Sequence, residues 1–87
     1  MDIQRKASAG TLQSSDLMVA VEPCPELVIE VESTVKQQFE HLIRARIEAT
    51  LADLGVTAGR VQVSDRGALD YAIAARVETA VRRASRR

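Results

Sequence analysis

LMVAVEPCPELVIEVE, residues 17–32, decides the fold. Leu17, Val19 and Val21 share one face of an extended segment, while Met18 and Ala20 make the other face partly apolar. Pro23-Cys24-Pro25 must break that strand. Alternation then resumes over 26–32. Leu27, Ile29 and Val31 point one way, and Glu26, Glu30 and Glu32 the other, as in a strand with one buried and one wet face. Strands with one apolar face demand an apolar cover.

The chain downstream supplies it. Ser33-Thr34 opens a helix over about 35–54, with Thr34 and Gln37 at capping-box spacing. Val35, Phe39, Leu42, Ile43, Ile47, Leu51 and Leu54 mark one face of that helix. Gly55 sits where a left-handed C-terminal cap belongs, and Val56 follows as its hydrophobic contact. A short strand over 60–64 turns Val61 and Val63 inward, and Asp65-Arg66-Gly67 turns the chain. A second helix over about 68–85 carries Leu69, Ala72, Ile73, Val77, Ala80 and Val81. Upstream, residues 6–12 alternate poorly and form the weakest strand. The order β-β-β-α-β-α predicts an α+β two-layer sandwich: a small, mainly antiparallel sheet with two helices on one face.

The totals bound what such a domain does. With 87 residues, 1–87 reads as one domain, with 1–5 and 86–87 loose. A chain of this size buries only about 60–65% of its unfolded surface, so its core is thin. Aromatics amount to Phe39 and Tyr71, which leaves Leu, Ile, Val and Ala to build that core. Such a chain suits a subunit, binding module or carrier better than a free-standing enzyme. Net charge is zero, against a general nucleic-acid binder. Residues 22–59 hold seven acids and three bases, and 60–87 hold three acids and seven bases. Arg82, Arg83, Arg86 and Arg87 either complement a helix C-terminus or form a docking patch for acidic groups or phosphates. The single cysteine, Cys24, excludes an internal disulfide and reads as an incidental reduced thiol. With no signal-peptide pattern and no apolar run near the ~20 residues of a membrane span, a soluble, cytoplasmic protein with no membrane partner is expected.

Catalytic constellations mostly fail. One His and one Cys, without spaced partners, make no metal set. His41 lies beside the apolar stripe and reads as a surface or boundary residue. Ser14, His41 and Asp16 spell a Ser-His-Asp set by composition only, since no nucleophile-elbow or phosphate-loop pattern accompanies them. Gly55-Val-Thr-Ala-Gly59 is a helix stop and loop, and Asp65 and Asp70 suit the start of the last helix.

There remains Gln13-Ser14-Ser15-Asp16, between a glycine-led polar run and the firmest strand. These residues suit a hairpin tip. A hydroxyl there is accessible to a modifying enzyme, and a rigid sheet below gives a tethered group a fixed origin. A carrier needs little more, because the chemistry lives in its prosthetic arm and in its partners.

Three blocks resemble the acyl carrier (gamma) subunit family of citrate lyase. Ala9-Gly10-Thr11-Leu12-Gln13-Ser14-Ser15-Asp16-Leu17-Met18 is similar to the family's A-G-T/S-L-E-S-G/S-D around the modified serine. Ser33-Thr34-Val35-Lys36-Gln37-Gln38-Phe39 is similar to S-S-V-E-K-Q-F. Asp65-Arg66-Gly67-Ala68-Leu69-Asp70, followed by Ala75-Arg76, is similar to D-K-G-A-L-D with its A-R. Gln13 stands in place of the usual Glu, and Tyr71 where Cys is common. The resemblance implies a non-catalytic carrier. It implies that Ser14 bears 2'-(5''-phosphoribosyl)-3'-dephospho-CoA through a phosphodiester, attached by a dedicated transferase. In the family, the arm's thiol carries acetyl, which the alpha subunit exchanges for citryl; the beta subunit cleaves citryl to oxaloacetate and restores the acetyl thioester. The alternatives are the similar carrier of malonate decarboxylase, and an unmodified α+β interaction or RNA-binding module, against which balanced charge and few aromatics count.

Overall fold

Two prolines separate the alternating segments, and the chain does not fold them into a hairpin. The computed structural model describes residues 1–34 and 39–85. It contains β1 (Ala7–Gly10), β2 (Leu17–Glu22), β3 (Leu27–Ser33), α1 (Glu40–Asp53), β4 (Gly59–Asp65) and α2 (Asp70–Ala84). The sheet order is β1-β2-β4-β3. β4 runs antiparallel to β2, with Val19 opposite Val63 and Val21 opposite Val61, and parallel to β3. α1 is therefore the crossover between two parallel neighbours. α2 packs on β1 and β2, and α1 on α2 and β3, so both helices cover one face of a mainly antiparallel sheet. The expected α+β two-layer sandwich is the one observed.

Its core is aliphatic. Leu17, Val19 and Val21 from β2, Val61 and Val63 from β4, Ile47 and Leu51 from α1, and Ile73, Val77, Ala80, Val81 and Ala84 from α2 are buried. Their spacing is two along strands and three or four along helices, as one-sided burial requires. α1 stops where Gly55, at φ 70°, donates its N–H to the Ala52 carbonyl while Val56 N–H bonds the Leu51 carbonyl, a Schellman closure with Val56 buried beneath it. Both edge strands are blunted by arginines from the helical layer: Arg44 bonds the Ile29 carbonyl of β3 and Arg83 the Ser8 carbonyl of β1, each at 2.8 Å. Arg82 pairs with Glu78 one turn back.

Four expectations change. The weak first strand spans four residues rather than 6–12. The first helix, expected from about residue 35, begins at Glu40 with Phe39 as its N-cap; Val35, and Gln37 of the expected Thr34–Gln37 capping box, lie outside the described residues. Phe39, Leu42 and Leu69, placed on inward stripes, are exposed, as is Leu27 at 40%. The helical layer is only two helices wide, and α1 leans mainly on α2, so the beginnings of both stripes and the outer strand lack cover. Finally, residues 1–5 are not loose. Ile3 is buried over Gly59, Gln4 N–H bonds the Ala84 carbonyl, and the Met1 ammonium bonds the Leu54 carbonyl. Residues 86–87 lie outside the described residues.

Candidate functional site

β1 leaves the sheet at Gly10, whose φ of 95° belongs to glycine. A Cβ there would run into the Leu17 carbonyl oxygen, and that oxygen accepts the Thr11 N–H that closes the hairpin. The Thr11 hydroxyl then accepts the Gln13 N–H. Asp16 N–H bonds the Gln13 carbonyl, so Gln13-Ser14-Ser15-Asp16 is a four-residue turn. Ser15, its third residue, has φ 66°, whereas Ser14 stays at negative φ, the signature of a type II turn. Serine adopts that left-handed conformation reluctantly, so its surroundings must hold it.

They do so from two directions. Beyond the last paired residues of β2 and β4, Ser15 N–H donates to the Arg66 carbonyl at 2.8 Å, and Arg66 N–H donates to the Asp16 carbonyl at 2.9 Å. The Asp16 carboxylate accepts the Thr11 hydroxyl at 2.7 Å and the Leu17 N–H at 2.8 Å. From α2, Arg76 adds a bidentate pair, Nε to Oδ1 and Nη2 to Oδ2, both at 3.2 Å. The Thr11 hydroxyl first, then the Leu17 N–H and the Arg76 guanidinium, hold the Asp16 carboxyl down at about 2 against partial burial.

Asp65 supports the other side. It is 1% exposed, and its carboxylate accepts the Gly67 and Ala68 N–H groups and the Ser33 hydroxyl. Its carbonyl accepts the Thr34 N–H. The sequence suggested a helix-dipole partner; the structure instead makes Asp65 the inner post of the turn between β4 and α2. Asp70 does lie in the first turn of α2, where it pairs with Arg46 of α1 at 3.3 Å.

Residues of the three sequence blocks, Ser33 and Thr34 for the second, thus meet at one end of the sheet. Ser14 and Ser15 are exposed there, and among the described residues nothing hydrogen-bonds the Ser14 hydroxyl. His41 is exposed on α1 and, among the described residues, bonds neither Ser14 nor Asp16, whose oxygens are occupied by other donors; no Ser-His-Asp set forms. Among the described residues no His, Cys, Asp and Glu group has the geometry to hold a metal, and no helix is long and apolar enough to cross a membrane. Cys24 is a free thiol, half-buried between its prolines. Sequence reasoning found the turn but missed its anchors, Arg66 and Arg76. The Ala75-Arg76 pair of the third block was the available signal, without a partner attached to it.

The Asp16 environment predicts a pH dependence. Its carboxyl lies below the ordinary 3.8, so its contribution to stability is complete above pH 3.8 and disappears as pH falls through about 2. A carboxyl NMR titration reads this directly. Asp16 should titrate near 2, and in Thr11→Val, which removes the largest cause, it should move up toward 3.8. Titration of native Asp16 at 3.8 would contradict the observed anchoring.

Comparison with known proteins agrees with this architecture. The family model described as "Malonate decarboxylase delta subunit (MdcD)" matches residues 4–84. The citrate lyase acyl carrier protein of Haemophilus influenzae (strain PittEE) is 49% identical over 85 residues, covering 98% of this chain and 90% of its own. That of Halothermothrix orenii is 46% identical over 87 residues, covering 99% and 93%. Among solved structures, a chain in the crystal structure of a Pseudomonas malonate decarboxylase hetero-tetramer in complex with malonate superposes with a TM-score of 0.80. It covers 95% of this chain and 87% of its own, at 23% identity, and so shares the fold. With nearly half of its residues shared over almost its whole length, the chain belongs to the citrate lyase acyl carrier protein family.

Proposed function

We propose that this chain is the acyl carrier subunit of citrate lyase and that Ser14 bears a phosphoribosyl-dephospho-CoA arm through a phosphodiester. One observation carries the reading: an exposed serine stands on a turn pinned to both β4 and α2 by residues of the family-like blocks. The residues fit the group. The Ser14 hydroxyl is open to solvent, and Leu12, Gln13 and Ser15 around it are exposed, so a bulky substituent leaves the surface without displacing core side chains. When attached, the group supplies a thiol that carries acetyl or citryl as a thioester. The chain itself holds the attachment point and orients it toward the alpha and beta subunits, which do the acyl exchange and the cleavage.

The second reading, a malonate decarboxylase carrier, rests on the description of the family model, whereas the curated relatives at 46–49% identity are citrate lyase acyl carrier proteins. Reconstitution separates the two. The chain purified from its native host should show an intact mass increased by one arm. It should support citrate cleavage when combined with citrate lyase alpha and beta subunits, and none alone. An unmodified mass, activity of the isolated chain, or activity only with malonate decarboxylase subunits would overturn the proposal.

A further inference from the structure

Two adjacent hydroxyls stand on the turn, and an attaching enzyme must take one of them. We propose that Arg76 is a positioning residue that presents Ser14, rather than Ser15, for modification. The inference rests on the reading of Ser14 above. The bond in question forms when Ser14 Oγ attacks the phosphorus of an activated phosphoanhydride of the arm. The Oγ–P bond forms, the anhydride P–O bond breaks with the inorganic phosphate or pyrophosphate beyond it as leaving group, and the hydroxyl proton passes to the transferase or to water. Which hydroxyl reaches that phosphorus depends on the conformation of the turn.

The geometry separates the two serines. Ser15 is held at φ 66° with its N–H on the Arg66 carbonyl. Ser14 occupies the preceding corner, and among the described residues its backbone takes part in no turn or loop hydrogen bond. A type II turn converts to type I by flipping the peptide between its two central residues, which here re-aims both hydroxyls. The bonds from Thr11 and Leu17 come from within the hairpin and travel with it. Arg76 is different: 60 residues away on α2, it ties the turn to the helical layer. Its stem passes over Gly10, where a Cβ would lie 3.4 Å from its Cδ. Its planar fork meets both Asp16 oxygens, which fixes the orientation of the carboxylate as well as its charge. Lysine supplies the charge without the fork.

The test loads apo-chains with the cognate transferase and activated arm donor, maps the product by peptide mass spectrometry, and measures steady-state loading. Wild type should load on Ser14 alone. Arg76→Gln should raise KM for the apo-chain about tenfold with kcat little changed, because a smaller fraction of the chain holds the competent turn, and should divert part of the product to Ser15. The Ser15 amide–Hα coupling should shift away from its left-handed value in parallel. Arg76→Lys should lie between the two, and it carries the test if Arg76→Gln does not fold. Wild-type KM and exclusive Ser14 loading in a folded Arg76 variant would overturn the positioning role while leaving the Ser14 reading intact. Failure of wild type to load at Ser14 would overturn both.

Discussion

Ser14→Ala abolishes both the mass increment of the arm and the citrate-cleaving activity of the reassembled complex, while Ser15→Ala retains them: this is the largest functional effect expected of any single substitution here. The loss is complete because a phosphodiester needs the oxygen that alanine lacks. The apo fold should be unaffected. Ser14 is exposed and its hydroxyl has no hydrogen-bond partner among the described residues, so its removal should change stability by no more than about 0.5 kcal/mol. For the same reason apo and holo chains should unfold at nearly the same temperature, since an exposed turn buries little. Urea unfolding of the variant, intact mass and reconstituted activity together check the claim. A modified Ser14→Ala chain beside an unmodified Ser15→Ala chain would move the attachment to Ser15.

The largest structural effect is expected at Gly10. Alanine there meets two penalties at once. Its φ of 95° is strained for any residue with a Cβ, and that Cβ runs into the Leu17 carbonyl oxygen, which the Thr11 N–H needs to close the hairpin. The obstacle is backbone, so no side-chain rotation relieves it. Gly10→Ala should cost about 3 kcal/mol and lower Tm by about 15 °C in a domain of this size. Gly67→Ala is the control. Gly67 has a similar φ of 91°, but a methyl added there would meet nothing within 4 Å, so only the strain remains, about 1 kcal/mol. Calorimetry on the two variants separates strain from collision. Equal losses would show that the Leu17 contact relaxes.

Much of this molecule is legible from local pattern. Period-two alternation marked β2, β3 and the inner face of β4. The stripe through Ile43, Ile47 and Leu51, and that through Ile73, Val77 and Val81, marked the covering helices, and Gly55 ended the first of them. Those signals survive because one-sided burial prints its period directly on the chain. The turn at Ser14 was equally visible, from its own residue types and from the order of the blocks around it.

What the sequence could not reveal is which distant residues meet. Nothing in the alternation of β4 says that it enters between β2 and β3, antiparallel to one and parallel to the other. Nothing in the first five residues says that Ile3 closes the space over Gly59. The apolar stripes did not tell that Phe39, Leu42 and Leu69 would face solvent, because that depends on how far two helices extend over four strands. The site follows the same division. Sequence determined the serine turn; tertiary structure decided that Arg66 and Arg76 would hold it and that Asp65 would be buried beneath the neighbouring loop. The reason is physical: periodicity reports the burial of a residue's own face, whereas an ion pair between residues 60 positions apart exists only once strand order and helix placement have brought both ends together.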